Sequence, residues 1–418
     1  MHSFGLEVRY ALAERGVWLS LALTLLVTCW AVIAGTLETH KQHAEISWML
    51  AATQADKAIV LAQQGDAGGA AYGVHHVTYQ PPTPLAFAAV GTREELPWQH
   101  WLTMLALEGQ IYEADIGNPE LSRVGRLDYA FVVSVLLPLV LILLLYDLDS
   151  RERREGRYEL LLATHASAVS PLLVRASART GLLFLVTSLP FAITAVVENV
   201  AVTLWVGVIA ISGLHLLLWL FVCRFVTHRT AEAPTAATAL LACWLLFTIA
   251  VPATARMLVE ATVALPAGGE ILLQQREKVN DAWDLPKPAT MIPFVASHPE
   301  WETQARVTQP FDWKWYFAFQ QVGDEFIAPK SNALQAGLAR RDSLMGWASI
   351  LSPPLATERW LTHLAGTDRS HHQHYMACVR AFHTSLRHFH YPMLFGQQEF
   401  SPEIMAGLPS YRPCLSEE

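Results

Sequence analysis

The sequence predicts an all-α membrane protein: a helical transmembrane bundle of five spans carrying a mainly α extracytoplasmic domain. Three observations predict it. Hydrophobic residues make up 52% of the 418 residues and charged ones 16%, with a mean hydropathy of +0.27. That is too apolar for an average soluble protein and too charged for one lying wholly in lipid. Five runs free of Asp, Glu, Lys and Arg are long enough to cross about 30 Å of hydrocarbon at about 1.5 Å per residue. Two long polar stretches separate or follow them, rich in Trp, His, Pro and Gly.

Residues 1–16 mix Phe4, Leu6, Val8 and Leu12 with Glu7, Arg9, Glu14 and Arg15, the pattern of a surface-lying helix or of a charged flank to the first span. The first span is 17–35, longer than the apolar core of a cleaved signal peptide, so an uncleaved anchor is expected. Region 36–128 continues as helix over Glu38 to Gln64, is broken by Gly65 to Gly73 and Pro81 to Pro84, and reads as a second helix over Leu96 to Tyr112. Its aromatic residues, Trp98 and Trp101 among them, are expected in a small core. The second span, 129–146, tolerates Pro138 because neighbouring helices can satisfy the carbonyl that proline frees.

Segment 147–179 is bordered by Arg151, Arg153, Arg154 and Arg157 at one end and by Arg175 and Arg179 at the other. Short cytoplasmic loops collect Arg and Lys, so it belongs inside the cell. Within it, Tyr158 to Ala163 forms a short helix bounded by Gly156 and Pro171, with apolar residues available to a groove. Spans three and four, 180–197 and 200–222, are separated only by Glu198 and Asn199, a tight outer hairpin. Loop 223–235 is again basic, span five is 236–255, and 256–418 is a second outer region with further helices at Glu260 to Val279, Ala333 to Trp347 and Pro354 to Leu364. The N-terminus is then cytoplasmic and the C-terminal region extracytoplasmic.

The order Glu152, Glu155-Gly156, Leu160-Leu161-Leu162-Ala163, Ser170-Pro171 directly after a span resembles the coupling segment of type-2 ABC-transporter permeases. Asn118-Pro119 with Gly125-Arg126-Leu127-Asp128-Tyr129, and Leu364-Ala365-Gly366-Thr367-Asp368-Arg369, resemble motifs of a subgroup with large extracytoplasmic regions. Two features depart from the pattern. Arg157 stands where the family usually has Thr, and the family's sixth span, expected after a segment like Leu408 to Tyr411, is missing before Glu418. A partner's helix or a shortened form would account for the latter.

The resemblance implies a permease subunit, not itself an enzyme, in the bacterial inner membrane, surrounded by lipid and paired with a second copy or a related chain. Separate ABC ATPase subunits would hold ATP and Mg and dock on Glu152, Glu155, Gly156, Leu160, Leu161, Leu162 and Pro171. The outcome would be export or mechanical signalling to a periplasmic partner. The residues agree in what they exclude: no phosphate loop or dinucleotide fingerprint is present, and a formal net charge of −8 gives no footprint for nucleic acid.

His215, inside span four, is a candidate for lining a substrate path, or a neutral ring bonded to a neighbouring helix. His371, His372, His374, His383, His388 and His390 form a dense imidazole cluster, read as a solvated helix face with no defended metal set. His298-Pro299-Glu300 reads as a turn. Cys29, Cys223 and Cys243 are small apolar residues. Cys378 and Cys414 lie in an oxidising compartment that permits a disulfide, although two free thiols are expected. The alternative to the permease is a membrane-anchored binding or sensor protein, with a metal as one ligand; a membrane-embedded enzyme has no defensible residue set.

Overall fold

The computed structural model describes residues 2–114, 127–164 and 171–414. In chain order the elements are α1 (His2–Ala13), α2 (Arg15–Gln63), α3 (Ala67–Gly73), β1 (His76–Tyr79), β2 (Gln99–Leu102), α4 (Leu107–Ala114), α5 (Tyr129–Phe131), α6 (Leu137–Leu145), α7 (Leu148–Arg154) and α8 (Tyr158–Thr164). They continue with α9 (Pro171–Val197), α10 (Val202–Arg229), α11 (Ala233–Leu245), α12 (Val251–Thr262), α13 (Gly268–Asp284), α14 (Lys287–Ser297), α15 (Trp313–Ala348), α16 (Pro353–Leu364), α17 (Arg369–Leu394) and α18 (Pro402–Met405). Among the described residues the fold is all-α apart from one antiparallel pair, β1 and β2, in which Val77 faces Trp101. Asn118-Pro119 and Gly125-Arg126 lie outside the described residues.

Five helices are long and apolar enough to cross a membrane: Arg15–Gln63, Tyr129–Arg154, Pro171–Val197, Val202–Arg229 and Ala233–Thr262. The first is continuous over 49 residues, because the apolar run passes directly into the Ala- and Gln-rich stretch above it. Two of the five contain a π-helical turn, at Val132–Leu136 and Leu246–Ala250. Such turns leave carbonyls without their usual partner. Trp244 Nε1 donates to Val135 O at 3.1 Å, and Ser352 Oγ donates to Phe247 O at 2.6 Å.

A lid closes one end of this bundle. Leu85, Phe87, Ala88 and Ala89 join the buried core of the apolar helices, with Phe87 5.8 Å from Phe191 and Tyr129 stacked on Phe191 at 4.7 Å between ring centres. Helix α2 passes so close beneath the lid that a Cβ at Gly35 would stand 2.0 Å from the Phe87 carbonyl oxygen. We predict that Gly35→Ala costs about 1–3 kcal/mol through overpacking. A thermal unfolding midpoint equal to that of the unaltered protein would refute this.

Beyond the lid, the two polar regions fold together. Leu102, Leu107, Ile111 and Tyr112 share one core with Ile271, Leu272, Ile327, Tyr375 and Val379. Asp324 of α15 accepts from Leu107 N at 2.8 Å and Glu108 N at 3.1 Å, so α4 takes its N-terminal cap from a distant helix. The expected helix over Leu96 to Tyr112 is corrected to strand β2 followed by α4. Alternation buries His100 and Leu102 while Trp101 stays 46% exposed, a period of two that a helix cannot satisfy.

Two further expectations change. Cys378 and Cys414 are paired in a disulfide that fastens the C-terminal tail to α17, in place of two free thiols. Helix α16 does not stay among the outer elements. Its Leu361, and Ala365 just after it, belong to the same core as Val133, Leu137 and Leu216, so it is inserted into the bundle.

Candidate functional site

Segment 147–179, the candidate for coupling, is built on a helix stop. Helix α7 ends where Gly156, at φ +67°, takes the left-handed conformation. Gly156 N donates to Arg153 O and Arg157 N to Glu152 O, the paired bonds of a Schellman turn. Glycine is favoured there because a Cβ is strained at that φ. The chain then re-enters helix as α8, whose Leu160 is 62% exposed. Pro171 opens α9 and is buried. The Leu161 and Leu162 side chains, and residues 165–170, lie outside the described residues.

Ion pairs, some of them buried at one partner, hold the base of this segment. Glu152, 4% exposed, accepts from Arg157 Nε at 2.9 Å and Arg175 Nη1 at 2.7 Å. Arg175 also donates to Glu7 of α1 at 2.8 Å. Arg179 donates to Glu14 and to the Leu144 carbonyl, both at 2.6 Å, and Arg151 donates to Glu14 at 2.7 Å. Asp149, 1% exposed, pairs with Arg224 of α10. Arg157, the departure from the family pattern, therefore closes a salt bridge onto the expected Glu152, and Glu155 pairs with Arg157 as well. Sequence reasoning named Glu152, Glu155 and Gly156 but missed Glu7, Glu14, Asp149 and Arg224. Charges bordering apolar runs were the available signal; their pairing across up to 168 positions was not.

Helix α1 runs beside α9 and is separate from α2, with an extended turn at Glu14 (φ −80°, ψ 116°). Its Phe4, Leu6, Tyr10 and Leu12 are all about half exposed or more. Ion pairs on one side and apolar residues on the other are what a helix lying in a membrane interface requires.

Midway along α10, His215 is 3% exposed, and its Nδ1 bonds Thr357 Oγ1 of α16 at 2.9 Å. The Ser134 carbonyl, whose helical donor Pro138 removes, lies beside the same ring. The His215 Nε2 is buried with no hydrogen-bond partner among the described residues. Glu198 meets His40 at 3.1 Å at the outer hairpin.

The imidazole cluster is not one solvated face. His374 and His388 are exposed, whereas His383 and His390 are each 1% exposed. Burial holds His383 well below the usual imidazole range and pulls His390 to about 4. His371 instead pairs with Asp368, and His363 Nδ1 meets the same carboxylate at 3.0 Å. Burial pushes the Asp368 carboxyl up, but the bonds from His371 and His363 outweigh it and hold it below the ordinary range.

The late motif Leu364 to Arg369 is the seam between bundle and outer elements. Gly366, at φ +65°, ends α16 in a second Schellman turn, with Gly366 N bonded to His363 O and Thr367 N to Thr362 O. Thr367 Oγ1 donates to Ala89 O at 2.8 Å, and Thr367 O accepts from Thr92 N at 2.9 Å. Asp128, the N-cap of α5, accepts from Val90 N at 2.9 Å. The two outer motifs thus both clamp the lid. Beside them opens a cavity of about 870 Å³ whose wall includes Asp128, Glu358, Arg359, His363, Asp368 and Arg369.

No curated protein and no solved structure matches the chain. Residues 269–413, which run from α13 to the tail and include the seam but not the coupling segment, are similar to the family described as Domain of unknown function (DUF3526).

Proposed function

We propose that this chain is the membrane subunit of an ATP-driven transporter resembling the type-2 ABC exporters, working with a second permease chain and two separate ATPase subunits that carry ATP and Mg. One observation carries the reading. The short helix α8 presents an exposed Leu160, and its base is bonded through Glu152, Arg175, Glu7, Glu14 and Arg179 to α1, α7 and α9. A partner that moved α8 between two positions would move the ends of those helices with it, because Glu152 and Arg179, the buried members of these pairs, resist being separated from their partners. The arginine-bordered end fits the cytoplasmic side. The Cys378–Cys414 bond fits an oxidising compartment for the opposite end.

An outer domain clamped to the lid by Thr367 and Asp128 would receive such motion and either gate an exit or pass it to a periplasmic partner. His215 remains the candidate path residue. The expected result is that the chain purifies from its native membrane with an ATPase bearing a phosphate loop, and that Leu160→Asp weakens this association by about tenfold or more, equivalent to about 1.4 kcal/mol. Retention of the ATPase at full stoichiometry in Leu160→Asp would overturn the reading. So would labelling from outside intact cells of a cysteine placed at Arg153.

A further inference from the structure

We propose that His363, Asp368 and His371 form a binding site for a divalent transition cation of the zinc class, on the rim of the seam cavity. The three side chains come from the last turn of α16, the N-cap of α17 and the first turn of α17. What brings them together is the Gly366 turn, which reverses the chain so that the imidazoles flank one carboxylate. Their ligand atoms all lie within 4.8 Å of one another. Zinc at about 2.0–2.2 Å from nitrogen and oxygen in a tetrahedron sets ligands about 3.4 Å apart. His363 Nδ1 already stands 3.0 Å from Asp368 Oδ2, and His371 Nδ1 contacts Oδ1, so side-chain rotation alone would open the site.

The turn that carries these ligands is fixed from outside, as a preorganised site needs. Thr83 Oγ1 donates to Ala365 O at 2.6 Å, and a Cβ on Gly366 would stand 2.8 Å from Thr83 Cγ2. Thr367 is bonded to both Ala89 and Thr92. Two imidazoles and one carboxylate suit zinc, nickel, copper or iron(II) over magnesium or calcium, which prefer all-oxygen shells. In the cation-free form the Nδ1 protons occupy the space between rings and carboxylate. On binding, the Nδ1 proton leaves each ring, exchanged through water onto Nε2 in a neutral ring or released to water from a doubly protonated one, and the freed Nδ1 takes the cation.

Three protein ligands leave a fourth coordination position for water or a small ligand, and two of the three, His363 and Asp368, line the cavity. His374 and His388, exposed elsewhere on α17, serve as internal controls. The proposal stands independently of the transporter reading, since it rests on the outer elements alone.

The test uses the full-length chain in detergent, titrated calorimetrically with Zn²⁺ and followed by the visible absorption of Co²⁺. One Zn²⁺ per chain is expected, with tetrahedral cobalt bands. His371→Gln and His363→Gln are each expected to weaken binding by more than about 100-fold, beyond what the loss of an outer partner costs, while His374→Ala and His388→Ala leave it unchanged. Because His363 is 55% exposed, its variant keeps the fold and separates ligand loss from unfolding. Binding that survives both glutamine variants, or that vanishes with His374→Ala instead, would overturn the site, as would no saturable binding at all. Asp368 would then be a helix cap with two imidazole partners and nothing more.

Discussion

Asp324→Ala is expected to cost about 3–5 kcal/mol of folding free energy in the outer part of the protein. The carboxylate is buried at the meeting point of three helices. It caps the N-terminus of α4 through Leu107 N and Glu108 N, and Arg387 of α17 donates to it at 2.6 Å. Burial raises its pKa, and Arg387 and the two backbone donors oppose that rise. Removing the carboxylate uncaps α4 and strands a guanidinium whose side chain is 13% exposed, and an unpaired buried charge costs more than the pair contributes. The double variant Asp324→Ala/Arg387→Met should therefore recover much of the loss. Unfolding midpoints of the single and double variants, set out as a cycle, decide it. Simple additivity, or a single-variant loss below about 1 kcal/mol, would show that the pair is not the anchor described.

Acid should loosen the same region before it disturbs the apolar helices. Burial pulls His76 to about 3 and His100 and His390 each to about 4, and holds His383 well below its ordinary value. The charged neighbours deepen the effect: His390, Lys57 and His75 beside His76, Arg380 beside His100, Arg387 beside His383, and Lys57 beside His390 are all cationic or become so. Each ring is neutral in the folded state and titrates near its ordinary value of about 6.5 once unfolded. The unfolded chain therefore binds more protons as pH falls, and stability that is complete above about pH 6.5 is lost as pH descends toward about 4. One such ring forfeits up to about 1.4 kcal/mol per pH unit, so the four together remove several kcal/mol before about pH 5. Hydrogen exchange on α4 and α17 at pH about 7.5, 6 and 5 would read this directly, and protection that stays flat across that range would sink it.

Five apolar runs appear among the described residues as five helices long and apolar enough to cross hydrocarbon, because length and composition are properties that a single sequence displays without reference to its neighbours. Gly156, Pro171 and the short helix between them were legible for the same local reason, since turn and start signals act within a few residues. The strand at Gln99–Leu102 was missed because a short apolar stretch fits either period until its pairing partner is known.

Composition and local signals by themselves determined an all-α chain, the apolar helices and the ends of the short helix α8. Tertiary structure alone decided which charges face each other: Glu7 with Arg175, Asp149 with Arg224, Asp324 with Arg387. It also decided that α16 enters the bundle, that Cys378 meets Cys414, and that His363 and His371 share Asp368. The physical reason is range. A helix records its own periodicity within a few turns, whereas an ion pair, a disulfide or a ligand set depends on distances that only the folded chain brings below a few ångströms.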